Sequence, residues 1–403
     1  MSFPYESLLS QRIRVMEESQ TIGMARKARE LAAGGIDVIN LSFGEPDFPT
    51  PAFIRDAAKK AMDDGFTFYT PVAGYPDLRK AICEKLRRDN DLHVTPEQVV
   101  VSTGAKQSIA NAILCLVDPG DEVIIAGPYW VSYLEIVKLA GGVPKVVSGT
   151  FETGFKPAVE ALEAAITTRT KAILYSSPSN PTGSVFSSAE LEALADVLVR
   201  NPHVMAIADE IYEYIGFADR HHSLGAIDRV RDRVVTINGM SKGFAMTGWR
   251  VGYLAGPRWL ADACDKMQGQ FTSGTCSIAQ RAALAALTGS LEPTREMTRR
   301  FRIRRDAVLE MAAGIPGWKT MVPDGAFYLF PQVDYYFGKT AADGSVIRDS
   351  TGLCMYLLRE AHVSVVPGIA FGDDSCIRIS FAAADEKLTE AFARIKQALS
   401  LLS

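Results

Sequence analysis

From residue 75 to residue 255 the chain alternates between two hydrophobic patterns. Short, nearly unbroken apolar runs lie at 98–101, 122–126, 143–147, 171–175, 203–208, 234–237 and 251–255. Between them, at 75–89, 105–116, 131–140, 158–166 and 187–200, apolar residues recur every three or four positions. Unbroken runs are what strands buried on both faces require, and the intervening segments read as amphipathic helices that cover them. The pattern predicts an α/β fold: a three-layer domain around a mainly parallel seven-stranded sheet.

The flanks read differently. A helix over 20–33 stops at Gly34-Gly35, and a short strand, Val38-Ile39-Asn40-Leu41, follows. The stretch Gly44-Glu45-Pro46-Asp47-Phe48-Pro49-Thr50-Pro51 is too rich in turn formers for regular structure, which sets a boundary between 1–48 and 49–290. Residues 291–403 open with a long charged helix, 292–313. Strands at 318–321 and 326–330, a helix at 351–361, strands at 363–366 and 376–380 and a last helix at 384–401 make a smaller α+β unit. Within it, Phe327-Tyr328-Leu329-Phe330 has the alternation of an inner strand and is expected to be core.

Composition narrows the function classes. The chain has 403 residues, 47% of them hydrophobic, and a net charge of −4, so it has the means for a large core and no electrostatic footprint for nucleic acid or an anionic membrane. Arg299-Arg300, Arg302 and Arg304-Arg305 are clustered on the long helix and read as a solvated or salt-bridged face. Six scattered cysteines without a Cys-x-x-Cys pair fit reduced thiols. With no signal-peptide layout and no apolar run approaching about 18 residues, a cytoplasmic protein is expected. His93, His203, His221-His222 and His362 have no metal-ligand spacing.

Reactive residue types gather where predicted strands end. Ser102-Thr103-Gly104-Ala105-Lys106 follows one strand and opens a helix; such a start is either an ordinary helix start or an anion cradle. Asn180-Pro181-Thr182-Gly183 is first a turn, although prolines on both sides of Asn180 suit a directed amide contact. Asp209 and Tyr212 close another strand. Ser241-Lys242-Gly243 follows the next, with Arg250 eight positions beyond Lys242; a lysine in such a turn is either solvated or part of a site at the carboxyl edge of the sheet. Arg378, inside Cys376-Ile377-Arg378-Ile379-Ser380, sits in an apolar strand where burial demands an anionic partner, so it is a candidate carboxylate clamp. An anion cradle, an amine nucleophile, a carboxylate, a phenol, an amide and a flat aromatic (Trp130) together match the needs of pyridoxal phosphate.

With these motifs, and with Tyr69-Thr70-Pro71-Val72-Ala73-Gly74, Gly127-Pro128-Tyr129-Trp130-Val131-Ser132-Tyr133 and Val366-Pro367-Gly368, nearly the whole chain resembles the class I aminotransferases of the fold-type I pyridoxal-phosphate enzymes. Its bacterial aspartate aminotransferase branch is the most similar. The resemblance implies that Lys242 forms the cofactor's aldimine and then moves the proton from the substrate's α-carbon. It implies that Asp209 pairs with the pyridinium nitrogen, that Tyr212 and Asn180 meet the ring hydroxyl, and that Trp130 stacks on the ring. Gly104, Ala105, Lys106, Ser241 and Arg250 would hold the phosphate, with Tyr69 from a neighbouring subunit of a homodimer. Arg378 would grip the α-carboxylate, with the Gly44 backbone, Trp130 and Asn180 beside it. It further implies that 1–48 packs with 291–403 as one discontinuous small domain.

L-Aspartate with 2-oxoglutarate is the expected substrate pair, and aromatic amino acids or prephenate are the alternative. One departure bears on this. Where some dicarboxylate-specific relatives carry a lysine near the N-terminus, this chain reads Met16-Glu17-Glu18-Ser19, and a glutamate repels a second carboxylate. Arg12, Arg14 and Arg26 are the nearby cations that remain. Two rival chemistries share the motifs. A pyridoxal-phosphate lyase needs the same lysine, and Gly239-Met240-Ser241-Lys242-Gly243 also fits the nucleophile elbow of serine hydrolases, with His362 downstream as base.

Overall fold

The computed structural model describes residues 8–14, 16–17, 20–217 and 220–403. Twelve strands are found there: β1 (Ile39–Asn40), β2 (Val99–Ser102), β3 (Glu122–Gly127), β4 (Val143–Ser148), β5 (Thr170–Ser176), β6 (Met205–Asp209), β7 (Val234–Gly239), β8 (Gly252–Ala255), β9 (Tyr328–Leu329), β10 (Val363–Ser364), β11 (Val366–Pro367) and β12 (Ile377–Ser380). The central sheet has seven strands in the order β2-β8-β7-β6-β5-β3-β4. Only β8 runs against its neighbours, pairing antiparallel with both β2 and β7. The expected mainly parallel seven-stranded sheet is therefore present.

Burial explains why the strand sequences are so uniformly apolar. Every residue of β2, β3, β6, β7 and β8 is buried, because helices cover both faces. Each buried Val, Leu or Ile side chain contributes about 1.5–3 kcal/mol. The edge strand β4 is different: it leaves Val143 and Val146 more than 40% exposed and carries Lys145, a charge that discourages pairing with another chain.

The predicted helices at 20–33, 105–116 and 292–313 appear as Gln20–Ala33, Ala105–Leu116 and Glu292–Ala313. Three further helices, Ala52–Asp63, Arg258–Phe271 and Ser277–Thr288, were not anticipated. The last is buried on most of its surface, so its alanine-rich sequence has no polar face to produce an amphipathic period.

The smaller unit departs from expectation in detail. Residues 318–321 form no strand; Lys319 makes an isolated bridge to Gln332. The predicted strand at 363–366 is two: β10 pairs in parallel with β1, and after Val365 the chain turns so that β11 joins β12 and β9 in a three-stranded antiparallel sheet. The predicted helix at 351–361 is α-helical over Ser350–Tyr356 and closes with a π turn, Leu357–Ala361. Met24, Ala28, Ile39 and Leu41 share one core with Phe301, Phe327, Leu353 and Ile379, so N-terminal and C-terminal segments bury each other's apolar surface. Of the arginine cluster, Arg299 is bridged to Glu292 and Glu296, as expected of a salt-bridged face. Arg304 is instead buried and holds Asp47 and Asp385 together.

All six cysteines are free thiols. Among the described residues, no helix is long and apolar enough to cross a membrane.

Candidate active site

The register of the central sheet gathers the reactive strand ends. Ser176 lies beside Asp209, Asp209 beside Ile237, and Gly252 beside both Gly239 and Ser102. The ends of β2, β5, β6 and β7 therefore open on one crevice at the carboxyl edge, the usual place for a ligand in an open α/β sheet. A cavity of about 260 Å³ fills it, lined among others by Gly44, Trp130, Asn180, Tyr212, Lys242 and Arg378.

One end of the cavity is cationic. The helix Ala105–Leu116 starts there, and its first N–H groups have no intrahelical partner. Ala105, Lys106, Ser241 and Arg250 line this end. Arg250 has a left-handed backbone, φ 55°, and its guanidinium donates to the Thr247 carbonyl at 2.8 Å. A Cβ on Gly104, itself at φ 84°, would collide with that guanidinium, and a Cβ on Gly252 would collide with the Ala105 nitrogen. Two glycines thus bring the arginine and the helix start together. Gly104 does not line the cavity, and its N–H donates to Ser102 O at 2.7 Å, so it shapes the cradle and offers it no donor.

Opposite lies Asp209, buried. Burial pushes its pKa up to about 6, against hydrogen bonds from the Tyr133 hydroxyl (2.6 Å to Oδ2) and the Ile211 N–H (3.3 Å to Oδ1). Lys242 lines the same cavity and feels the charges of both Arg250 and Asp209. Its ammonium donates to the Gly44 carbonyl, and burial pulls its pKa down to about 8. Removing the amine from water disfavours its charged form and leaves a nucleophile near neutral pH. The carbonyl of Gly44 is thereby engaged by the lysine.

Arg378 is buried. It donates through Nη1 to Asn180 Oδ1 at 3.0 Å and through Nη2 to Ser42 O at 2.6 Å, while its Nε has no partner. Among the described residues no carboxylate is ion-paired with it, and burial lowers its pKa. The guanidinium lies 4.5 Å from the Tyr328 ring centroid, and the Tyr328 and Tyr212 hydroxyls meet at 2.7 Å. Tyr328, expected only as core, is both core and cavity wall. Its neighbour Gly44 has no room for a Cβ, which would stand 2.6 Å from the Tyr328 hydroxyl.

Lys106 also lines the cavity, with Nζ 4.9 Å from the Trp130 ring centroid. Burial and the nearby Arg250 lower its pKa. By contrast, Tyr69 is 97% exposed and stands apart from the cavity of its own chain. Glu17 is exposed with its N–H on Glu135, and neither it nor Arg12, Arg14 or Arg26 lines the cavity, whereas Thr21 and Ile22 do. No histidine lines the cavity either. His362 sits behind the π turn near Asp37, so the hydrolase reading has no base for Ser241.

The residue set fits pyridoxal phosphate. Helix N–H groups and an arginine suit a dianion, a buried carboxylate suits a ring nitrogen, an indole suits a ring face, and an amine of lowered pKa suits an aldehyde. Sequence reasoning missed Tyr133 and Tyr328. The first stands inside a quoted motif, three positions after Trp130 at a helix start, but its acceptor is 76 residues away.

Comparison with known proteins agrees over the full length. The family described as aminotransferase class I and II matches residues 36–395. An aspartate/prephenate aminotransferase from Cereibacter sphaeroides is 50% identical over 97% of this chain and 98% of its own. A bifunctional aspartate aminotransferase and glutamate/aspartate-prephenate aminotransferase from Petunia hybrida is 46% identical over 97% of this chain and 82% of its own. The aspartate aminotransferase structure from Rhizobium meliloti is 42% identical and superposes with a TM-score of 0.95, covering 98% of this chain and 99% of that one. The Thermus thermophilus aspartate aminotransferase with maleate is 41% identical at a TM-score of 0.91, covering 97% and 99%. A match spanning almost the entire chain, on a fold whose strand ends gather the residues just described, makes this protein a member of the class I and II aminotransferase family.

Proposed function

We propose that this aminotransferase holds pyridoxal phosphate on Lys242 and moves the amino group of L-aspartate to 2-oxoglutarate, with prephenate as a further amino acceptor. The observation that carries the substrate reading is the distribution of cations: Arg250 at the helix start, Arg378 beside Asn180, and Lys106 on Trp130. The first suits the phosphate, the second the α-carboxylate and the third a second carboxylate. Aspartate, 2-oxoglutarate and prephenate all carry two carboxylates. Relatives named for aspartate and prephenate, and a similar structure with the dicarboxylate maleate, support this choice. Lys106 then does what Glu17 does not.

When bound, pyridoxal phosphate supplies an electron sink that acidifies the C–H of the amino acid's α-carbon. The chain's residues do the rest. Asp209 would keep a proton on the ring nitrogen, and the Tyr133 hydrogen bond favours the anionic form of Asp209. Tyr212 and Asn180 would hold the ring hydroxyl, and Trp130 would cover the ring face. Ala105, Ser241 and Arg250 would surround the phosphate, with Gly104 shaping their approach, and Lys106, placed over Trp130, would be left for the second carboxylate. Arg378 orients the substrate through its α-carboxylate, so that the proton to be moved faces Lys242. Lys242 would be the base that moves that proton.

Amino transfer is favoured over β-elimination or decarboxylation by the relatives' names. The deciding experiment supplies L-aspartate and 2-oxoglutarate to the purified holoenzyme and measures both products. Equal amounts of oxaloacetate and glutamate are expected; ammonia or alanine in their place would make the protein a lyase.

The exposed Phe68 and Tyr69, 82% and 97% accessible, support a homodimer in which Tyr69 reaches the partner's phosphate site. Light scattering and a Tyr69→Phe variant with weakened cofactor binding test it. The shared core and the β1–β10 pairing support treating 1–48 and 291–403 as one small domain set against 49–290. Six free thiols support a reducing, cytoplasmic setting.

A further inference from the structure

Behind the turn that carries Asp209 and Tyr212, the chain buries a second set of charges that the amino-transfer site does not touch. Asp209 and Tyr212 face the cavity, while Glu210 and Glu213 face away from it. Both glutamates are buried, with side chains 1% and 4% exposed. Glu213 forms an ion pair with Lys85, which is equally buried and also donates to Asn90 Oδ1 at 2.6 Å. The amide of Asn90 donates to Glu213 Oε2 at 2.7 Å and to Glu210 Oε2 at 3.2 Å. Glu210 Oε2 also accepts from Ser223 Oγ at 2.6 Å and lies 3.0 Å from His221 Nε2.

With both glutamates ionised, the charges balance only if His221 is protonated. Lys85 is the only permanent cation among the four groups, against two carboxylates. Among the described residues, His221 is the only cation within ion-pair distance of Glu210. Asp89, next along the helix Pro76–Asn90, is already taken by Arg88 and by the Tyr214 hydroxyl. On the side of the long helix, Arg299 is held by Glu292 and Glu296 and Arg302 by the Phe217 carbonyl, while Arg295 pairs with Glu292. Arg220, His222 and Asp91 border the outer clefts. The donor atoms of Glu210, Glu213 and His221 lie within 4.8 Å of one another, as metal ligands would, but the Lys85 ammonium already supplies the cation at Glu213.

We propose that protonated His221 is a positioning residue for the amino-transfer site: with Lys85 it neutralises the buried Glu210–Glu213 pair, which keeps the neighbouring Asp209 anionic and its turn in place. The proposal rests on the reading of Asp209 as the partner of the cofactor's ring nitrogen. Two further observations agree with it. Burial pulls the His221 pKa down, yet Glu210 and Glu213 outweigh this and the net direction is upward. The charge on Glu210 raises the proton affinity of Asp209, so losing the cation beside Glu210 would be felt at Asp209. Breaking one partner of a buried pair leaves an uncompensated charge, whereas removing both leaves none. That asymmetry separates an electrostatic role from simple packing.

The test compares wild type, His221→Gln and Glu210→Gln/His221→Gln, measuring the dissociation constant of pyridoxal phosphate against pH and the spectrum of the reconstituted holoenzyme. His221→Gln is expected to displace the acidic limb of cofactor binding about one pH unit to higher pH, which weakens binding about tenfold near pH 5 and about twofold near pH 7. The double variant is expected to return to within about twofold of wild type. A single variant that binds like wild type, or a double variant as weak as the single, overturns the proposal. Should His221→Gln fail to fold, the ring signals of His221 in wild-type holoenzyme decide by NMR: titration at or below the ordinary value of about 6.5 overturns it, and titration above that supports it. Wild type that binds no pyridoxal phosphate would sink the functional reading instead, and the same NMR titration would still decide the charge of His221.

Discussion

Tyr133 donates its phenolic hydrogen to Asp209 Oδ2 across 2.6 Å, both groups being buried. Burial alone favours a neutral Asp209, and its pKa stands at about 6, above the ordinary 3.8. The tyrosine works against that rise, since a hydrogen bond to the charged form favours it. A hydrogen bond to a charged group contributes about 1.5–3 kcal/mol, so Tyr133→Phe is expected to raise the Asp209 pKa further and to weaken pyridoxal phosphate binding about two- to fifteenfold at pH 7 and more at lower pH. Direct titration of apoprotein with cofactor measures this. The linkage has a definite sign in the apoprotein. Folded Asp209 keeps its proton where the unfolded chain has lost it, so stability falls as pH rises from about 4 through about 6. Tyr133→Phe should extend that fall to higher pH, and denaturant melts across the window would reveal it.

Lys242 gives the second prediction. With its pKa drawn down to about 8, its neutral fraction grows up to that pH and then saturates, where an ordinary lysine would continue to about 10.4. Covalent attachment of pyridoxal phosphate to apoprotein should therefore accelerate with pH and level off above about 8. Lys242→Ala should leave no borohydride-fixed cofactor. An adduct mapped to Lys106 in wild type would show that the amine has been misassigned.

In the proposed reading, Arg378 and Lys106 divide the substrate between them. Arg378→Ala would remove the proposed partner of every amino acid's α-carboxylate and leave Asn180 Oδ1 without its donor, so kcat/KM should fall about 100-fold or more for all donors. Lys106→Ala should cost about tenfold for aspartate and little for monocarboxylic donors, since only the former has a carboxylate to lose. Glu17→Lys adds a cation outside the cavity wall and should alter that ratio far less. A donor panel on the three variants tests the division. Equal losses on aspartate and alanine in Lys106→Ala would assign the lysine to the phosphate alone.

The sequence is most legible where a residue's chemistry conflicts with its surroundings. An arginine within Ile377-Arg378-Ile379 and a lysine between glycine-marked strands announce themselves, because burying either costs heavily without a purpose. Tyr133 and Tyr328 do not, since tyrosine belongs in a core and alternation reports only that a side chain is buried. Which oxygen its hydroxyl meets is set by strands far apart in the chain. Gly104 shows the same limit from the other side: its place at the helix start is evident, but only the fold shows that its N–H is committed to Ser102 and that its missing side chain makes room for Arg250. The helix Ser277–Thr288 escapes notice because burial on most sides erases the period that would mark it.

The cradle's dependence on missing side chains is itself testable. Gly252 lies where β8 passes the start of the helix Ala105–Leu116, and a Cβ there would overlap the Ala105 nitrogen. Backbone cannot rotate away as a side chain can, so Gly252→Ala must move the helix start off the sheet. The N–H groups that suit the phosphate would then be displaced from Arg250. Misplacing a charge-assisted contact costs about 1.5–3 kcal/mol, so cofactor affinity should fall at least tenfold. Gly248→Ala is the matched comparison, because a Cβ at Gly248 meets nothing within 4 Å and its φ is not left-handed. It should bind pyridoxal phosphate as wild type does. Equal affinities in the two variants would mean that the helix start does not hold the phosphate.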